Sequence, residues 1–198
     1  MLADVGFAAA PHTSHHAVQF YATDQSLFTI VAEFLSDGLT LDQPAIVIAT
    51  PSHRDGIEQY LSKRLIDCAL ARRTGDLVML DAEETLGQFM IGEEPDEELF
   101  EQTVGTLVKQ TLTGRGRTVV RAYGEMVDVL WKRGNTEAAI KLEILWNKLV
   151  VKHHFALLCG YAMGHFYKKT WQLERVCHYH TRAITPDNVL QFDAKRGA

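Results

Sequence analysis

The sequence predicts an α/β domain with a mostly parallel central sheet between two layers of helices. Three observations carry the prediction. Apolar β-like runs alternate with helical patterns between residues 15 and 165: AVQFY, AIVIAT, LVML, TVVRAY and FALLCGYA. The chain has 198 residues, of which 46% are hydrophobic, enough for one well-buried core. No internal repeat, low-complexity tract or Ser/Gly linker divides it, so one domain is expected over residues 15–186, between tails at 1–14 and 187–198.

In chain order, AVQFY leads into a helix over 24–38, where Leu27, Ile30, Val31, Phe34 and Leu35 share one face. Thr23 is placed to cap its start and Gly38 to follow its end. After the strand AIVIAT, the stretch PSHRDGIEQYLSKRL opens with Pro and Ser, both common at helix starts. DAEETLGQFM follows LVML in the same way. IGEEPD reads as a solvated acidic loop before a helix over 96–112, and a Gly/Arg turn precedes TVVRAY. GEMVDVLWKRGN is a short helix closed by Gly134, paired in a hairpin with TEAAIKLEILWNKLVV, which Thr136 would cap.

Charge and composition exclude several classes. Twenty basic residues against 25 acidic ones give a net charge of −5 without a basic block, so nucleic-acid binding is not expected. Cys68, Cys159 and Cys177 are few, odd in number and widely spaced, which suits free thiols in a reducing compartment. No run reaches the roughly 18 apolar residues of a membrane span, and the N-terminus lacks the pattern of a secretory signal. A cytoplasmic protein is expected.

The corner YATDQS joins the first strand to the first helix, where α/β proteins commonly cradle a phosphate, yet it has neither Gly nor Lys. Asp24 puts a carboxylate at the positive end of the helix dipole. A triphosphate would meet negative charge there, so ATP is not expected as a cofactor. No GxSxG elbow, HExxH or paired-carboxylate signature supports an enzyme.

The run FTIVAEFLSDGLTLDQPAIVIAT resembles the helix and second strand of RecA/KaiC-type ATPases. Taken with HAVQFY, RAYGEMVDVLW, LEILWN, LLCGY and VCHYHTRAITP, the chain from about residue 16 to 186 resembles the MEDS family, the sensory domain of methanogen and methylotroph regulators. The resemblance implies a RecA-like three-layer fold without a working nucleotide loop. It also implies a sensor of small organic molecules that signals through a histidine kinase, a transcriptional regulator or a change in self-association.

Ligands of an open parallel sheet bind beyond the carboxyl ends of its strands. Tyr21 and Asp24 are expected at that end of the first strand, with Arg121, Tyr123 and Glu125 at the end of TVVRAYGE, the position where an ATPase carries its metal-binding acid. The two corners are expected to face one pocket, and an Arg121–Glu125 ion pair is expected because charges are seldom buried alone. Asp24 serves equally well as a helix cap. His16, at the family's opening histidine, and Glu143 with Asn147, four residues apart on one helical face, complete the ligand-binding candidates along with Trp146, which packs as well as it binds. Cys177 and His180 share a C-x-x-H spacing, but no second ligand pair accompanies them; His178, His153, His154 and His165 would complete a metal site only if the fold gathers them. Cys159 reads as a small buried hydrophobe.

Overall fold

A computed structural model of the chain describes residues 15–116, 118–186 and 189–191. The expected N-terminal tail, 1–14, lies outside the described residues, as do 187–188 and 192–198 of the expected C-terminal tail. Strand β1 (His15–Tyr21) runs into helix α1 (Asp24–Leu39) through Ala22 and Thr23. Thr23 caps α1 as expected: its hydroxyl accepts from Ser26 N at 3.2 Å, while Thr23 N donates to Ser26 Oγ at 3.3 Å. The apolar stripe Leu27, Val31, Phe34 and Leu35 is buried. Gly38 does not end the helix but lies within it, where a Cβ would stand 2.6 Å from Arg121 Cδ. The small residue makes room for that side chain.

Strand β2 (Ala45–Ala49) leads to α2 (Pro51–Lys63), with proline in its first turn as expected. A seven-residue helix, α3 (Cys68–Thr74), comes next; it is too short to show periodicity and rests on Asp67 as its cap. Strand β3 (Leu77–Asp81) and α4 (Ala82–Gly87) follow. The expected acidic loop instead holds a small hairpin, β4 (Met90–Ile91) with β5 (Glu94–Pro95), turning at Gly92 with φ 61°. Asp96 caps a helix that runs through α5 (Glu97–Phe100), a π-helical stretch Glu101–Gly105 and α6 (Thr106–Leu112). Strand β6 is confined to Arg121–Gly124. Helices α7 (Met126–Lys132) and α8 (Thr136–His153) form the expected hairpin around Gly134, but Asn135 rather than Thr136 caps α8, accepting from Ala138 N at 3.2 Å. Strand β7 (Ala156–Ala162), a 3-10 turn Met163–Phe166, α9 (Thr170–Cys177), β8 (Arg182–Ile184) and β9 (Val189–Gln191) complete the order.

The α/β class and the mostly parallel sheet hold. The order is β3-β2-β6-β7-β1-β8-β9, parallel throughout except where β9 pairs antiparallel with β8. Two later strands, β6 and β7, are inserted between β1 and β2, so all their carboxyl ends open on one edge. Core side chains alternate between the faces. Ala17, Tyr21, Val47, Tyr123 and Leu158 pack with α1 and α2, whereas Val18, Phe20, Ile48, Leu157, Cys159 and Tyr161 pack with α7 and α8.

Arg121 begins β6, level with Ala45 and Ala156 at the starts of β2 and β7. It therefore lies at the amino end of the sheet, opposite the edge where a ligand is expected, and it does not pair with Glu125. Instead its Nε donates to Gln43 Oε1 at 2.8 Å, its Nη1 donates to the Phe34 carbonyl at 2.9 Å, and the guanidinium sits 5.3 Å over the Phe34 ring. Its role is to tie α1 to the sheet. Arg121→Ala should lower the unfolding free energy in urea by about 2 kcal/mol, through two lost buried hydrogen bonds and the packing of the arginine stem. A loss below about 0.5 kcal/mol, the range of an ordinary surface substitution, would contradict this structural role.

Candidate functional site

At the carboxyl edge, α7 opens at Glu125 directly after β6, and its side chain reaches across to β2 and α2. Glu125 Oε1 accepts from Thr50 N at 2.5 Å; Oε2 lies 2.6 Å from His53 Nδ1 and accepts from the Tyr123 hydroxyl at 3.1 Å. The other ring nitrogen of His53 is 3.6 Å from Asp24 Oδ1. Burial works against a charged His53, but the hydrogen bond to Glu125 and the nearby carboxylates outweigh it and raise its pKa above the ordinary value. Beside this group, Asp128 accepts from the Tyr21 hydroxyl at 3.2 Å and from Ala162 N at 2.9 Å, and Lys132 Nζ lies 2.9 Å away, one turn along α7. His165 is 3.0 Å from the same carboxylate. Burial raises the Asp128 pKa, yet His165, the Ala162 amide and Lys132 together hold it below the ordinary range. Burial, followed by Asp128 for Tyr21 and by Glu125 for Tyr123, pushes both phenols upward, so they stay protonated donors. Most of this network is sealed, but Asp24 and Lys132 keep 67% and 50% of their side chains exposed and can hydrogen-bond a small polar molecule.

A second polar group lies on the α8 face of the sheet. His16 of β1 points at α8, its Nδ1 3.0 Å from Asn147 Oδ1 and its Nε2 3.2 Å from Cys159 Sγ and 3.3 Å from Glu143 Oε2. His180, supplied by the turn after α9, packs at a tilt against His16 with ring centroids 4.1 Å apart and places its Nε2 3.4 Å from Glu143 Oε2. Tyr161 donates to Glu143 Oε1 at 2.8 Å. Burial strongly disfavours the Glu143 anion, but the facing His180 and His16 reverse that and hold the carboxyl well below its ordinary range. Burial, with His180 next, lowers His16, and burial followed by Glu143 raises the Cys159 thiol.

The structure divides the candidates between these two groups. Tyr21, Asp24, Tyr123 and Glu125 meet at the carboxyl edge, whereas His16, Glu143 and Asn147 meet on the α8 face. Arg121 joins neither. Trp146 is a core residue rather than a pocket wall: it is 1% exposed and packs edge-to-face on Phe100 with centroids 5.1 Å apart. Of the two residues that share the C-x-x-H spacing, only His180 enters a cluster, and Cys159 rather than Cys177 converges with it. Burial raises the Cys177 thiol to about 11. Cys159 is buried as expected, but as a member of the polar group. His153 is engaged with Glu101 and His165 with Asp128, so neither completes that group. Sequence reasoning misses His53, Thr50 and Asp128. PSH directly after AIVIAT carries the same strand-end signal that singled out Tyr21 and Asp24, and Asp128 follows Glu125 by one helical turn. His53 and Asp128 were thus legible by the rule already applied.

The model of the MEDS family, the methanogen/methylotroph, DcmR sensory domain, matches residues 15–181. A KaiC-like protein from the hyperthermophilic archaeon Pyrococcus horikoshii superposes with a TM-score of 0.62 over 94% of this chain and 83% of its own, at 13% identity. That likeness establishes the RecA-like fold. No curated protein matches. Among the described residues, no helix is long and apolar enough to cross a membrane.

The His53–Glu125 contact has a pH signature. Because the folded pKa of His53 is raised above its ordinary 6.5, its stabilising effect is full below that value and is lost as the pH rises through the folded pKa. The stability advantage of wild type over His53→Gln in urea should therefore shrink as pH climbs above 6.5. An advantage that grows over that window would refute the assigned charge.

Proposed function

The chain belongs to the MEDS family of sensory domains, and from that premise we propose that it is a non-catalytic receiver, binding a small polar organic molecule at the carboxyl edge and passing the change to a histidine kinase or transcriptional regulator. One observation carries the reading. Both Glu125 oxygens are committed to Thr50, His53 and Tyr123. An acid held in this way is poorly placed to bind the metal of a nucleotide. The start of α1 points in the same direction, because the Thr23–Ser26 pair engages the Thr23 and Ser26 amides and Asp24 opposes an anion.

A route outward accompanies this edge. A molecule that competes for Asp24, His53 or Lys132 disturbs Asp128, whose carboxylate is bonded to Ala162 at the end of β7. The Met163–Phe166 turn follows directly and leads to α9, with Tyr167 and Trp171 exposed at 74% and 61%. A partner contacting α9 would respond to the edge through that turn, as coupling between two sites requires. The saturation of the edge network favours one further reading, a scaffold whose site is filled by its own side chains and which works through partner contact alone.

Assays with ATP and native mass spectrometry separate these readings. Equilibrium dialysis and a turnover assay with ATP should show neither binding nor hydrolysis, and no thermal shift should accompany ATP. Hydrolysis that vanishes in Glu125→Gln would overturn the sensor in favour of a divergent ATPase. Native mass spectrometry of protein purified from its own host should reveal a bound organic mass; a stoichiometric protein partner with no such mass would select the scaffold.

A further inference from the structure

His16 Nε2, His180 Nε2, Cys159 Sγ and Glu143 Oε2 lie within 4.8 Å of one another, and all four residues are buried. Four of the separations among these atoms are 3.2, 3.3, 3.4 and 3.5 Å. Ligands at zinc-type bond lengths in a tetrahedron stand about 3.3–3.6 Å apart, so these four separations fit a coordination shell.

The hydrogen bonds behind the cluster turn its lone pairs inward. His180 Nδ1 lies 2.8 Å from the Val176 carbonyl, which only accepts, so Nδ1 carries the proton and Nε2 faces the cluster bare. Asn147 Nδ2 donates to the Tyr179 carbonyl at 2.8 Å, which leaves its Oδ1 to accept from His16 Nδ1 and frees His16 Nε2 in the same way. His180 Nε2 is fully buried and has no hydrogen-bond partner among the described residues. Two imidazole lone pairs and a carboxylate thus converge on one thiol proton, which Cys159 can direct to His16 or to Glu143 but not to both. Such a cluster is short of positive charge.

We propose that this cluster is a mononuclear site for a divalent metal of the zinc class, with His16, His180, Cys159 and Glu143 as its four protein ligands. The thiolate and two imidazoles disfavour magnesium and calcium and suit zinc or cobalt. Four protein ligands close the coordination shell, which is the arrangement of a structural rather than a catalytic site. Asn147, the Val176 carbonyl and Tyr161 orient three of the ligands from behind. On binding, the Cys159 S–H bond breaks, its electron pair goes to the metal and its proton leaves to solvent, with no change of oxidation state. The metal would fasten the segment after α9 to β1, β7 and α8. This inference does not depend on the organic ligand proposed for the carboxyl edge, because the cluster lies on the α8 face near the start of β1.

Full-length protein stripped by chelator and titrated with Co2+ should bind one equivalent, with a thiolate-to-cobalt charge-transfer band and tetrahedral d–d bands that Zn2+ displaces. Zn2+ but not Mg2+ should raise the melting temperature. Cys159→Ser should abolish the charge-transfer band, Asn147→Ala should weaken Zn2+ binding by about 10–100-fold through a misoriented His16, and Cys177→Ser should change neither. The proposal is overturned if wild type takes up no stoichiometric Co2+ or Zn2+, in which case a shared proton alone joins Glu143 to the histidines. It is also overturned if the band survives Cys159→Ser or is lost in Cys177→Ser. The wild-type titration decides the question even if a variant fails to fold.

Discussion

The fold depends on a carboxylate placed where water cannot reach it. Glu143 is 0% exposed, and an isolated ion at such a depth costs several kcal/mol. Tyr161 and the Cys159 thiol of β7 reach it as donors, while His16 from β1 and His180 from the turn after α9 face the same carboxylate. The requirement works in both directions. Glu143 needs those groups in place, and the chain that carries them is held by needing to be there. Thr181 adds to this hold, since both its amide and its hydroxyl donate to the His16 carbonyl, at 2.8 and 2.9 Å. The segment after α9 is thereby docked against β1, beside which β8 pairs in parallel.

The carboxyl edge follows the same rule with a different result. Glu125 and Asp128 are also buried carboxylates, and each gathers amide, phenol and imidazole donors. In a nucleotide-binding relative of this fold, phosphate and metal would supply the countercharge at such an edge. Here Lys132 lies 2.9 Å from Asp128, and the His53 and His165 rings lie against Glu125 and Asp128 at 2.6 and 3.0 Å.

The sequence revealed the sheet and the strand ends well, because alternating apolar runs and helical stripes are local patterns. Thr23, Tyr21 and Glu125 could be placed by their distance from a strand end alone. Arg121 was misplaced for the same reason: TVVRAY reads as one long strand, whereas pairing begins only at Arg121, which moves that residue from the top of the sheet to its base. The pairing of His180 with Cys159 rather than Cys177 was not legible. C-x-x-H is a spacing along the chain, and the true neighbours are brought together only by β1 lying between β7 and β8. Trp146 shows a further limit, since its share of the α8 face belongs to the core around Phe100, and periodicity does not distinguish an apolar wall from a pocket.

Strand β1 is the first element of the described chain, yet both of its neighbours, β7 and β8, come from the last third. During synthesis, His15–Tyr21 therefore emerges long before anything exists to pair with it. An apolar strand waiting with two open edges is a template for pairing with other chains. The order of the strands thus makes β1 a point of vulnerability, because the chain must be made as far as β7 and β8 before that strand is covered on both edges.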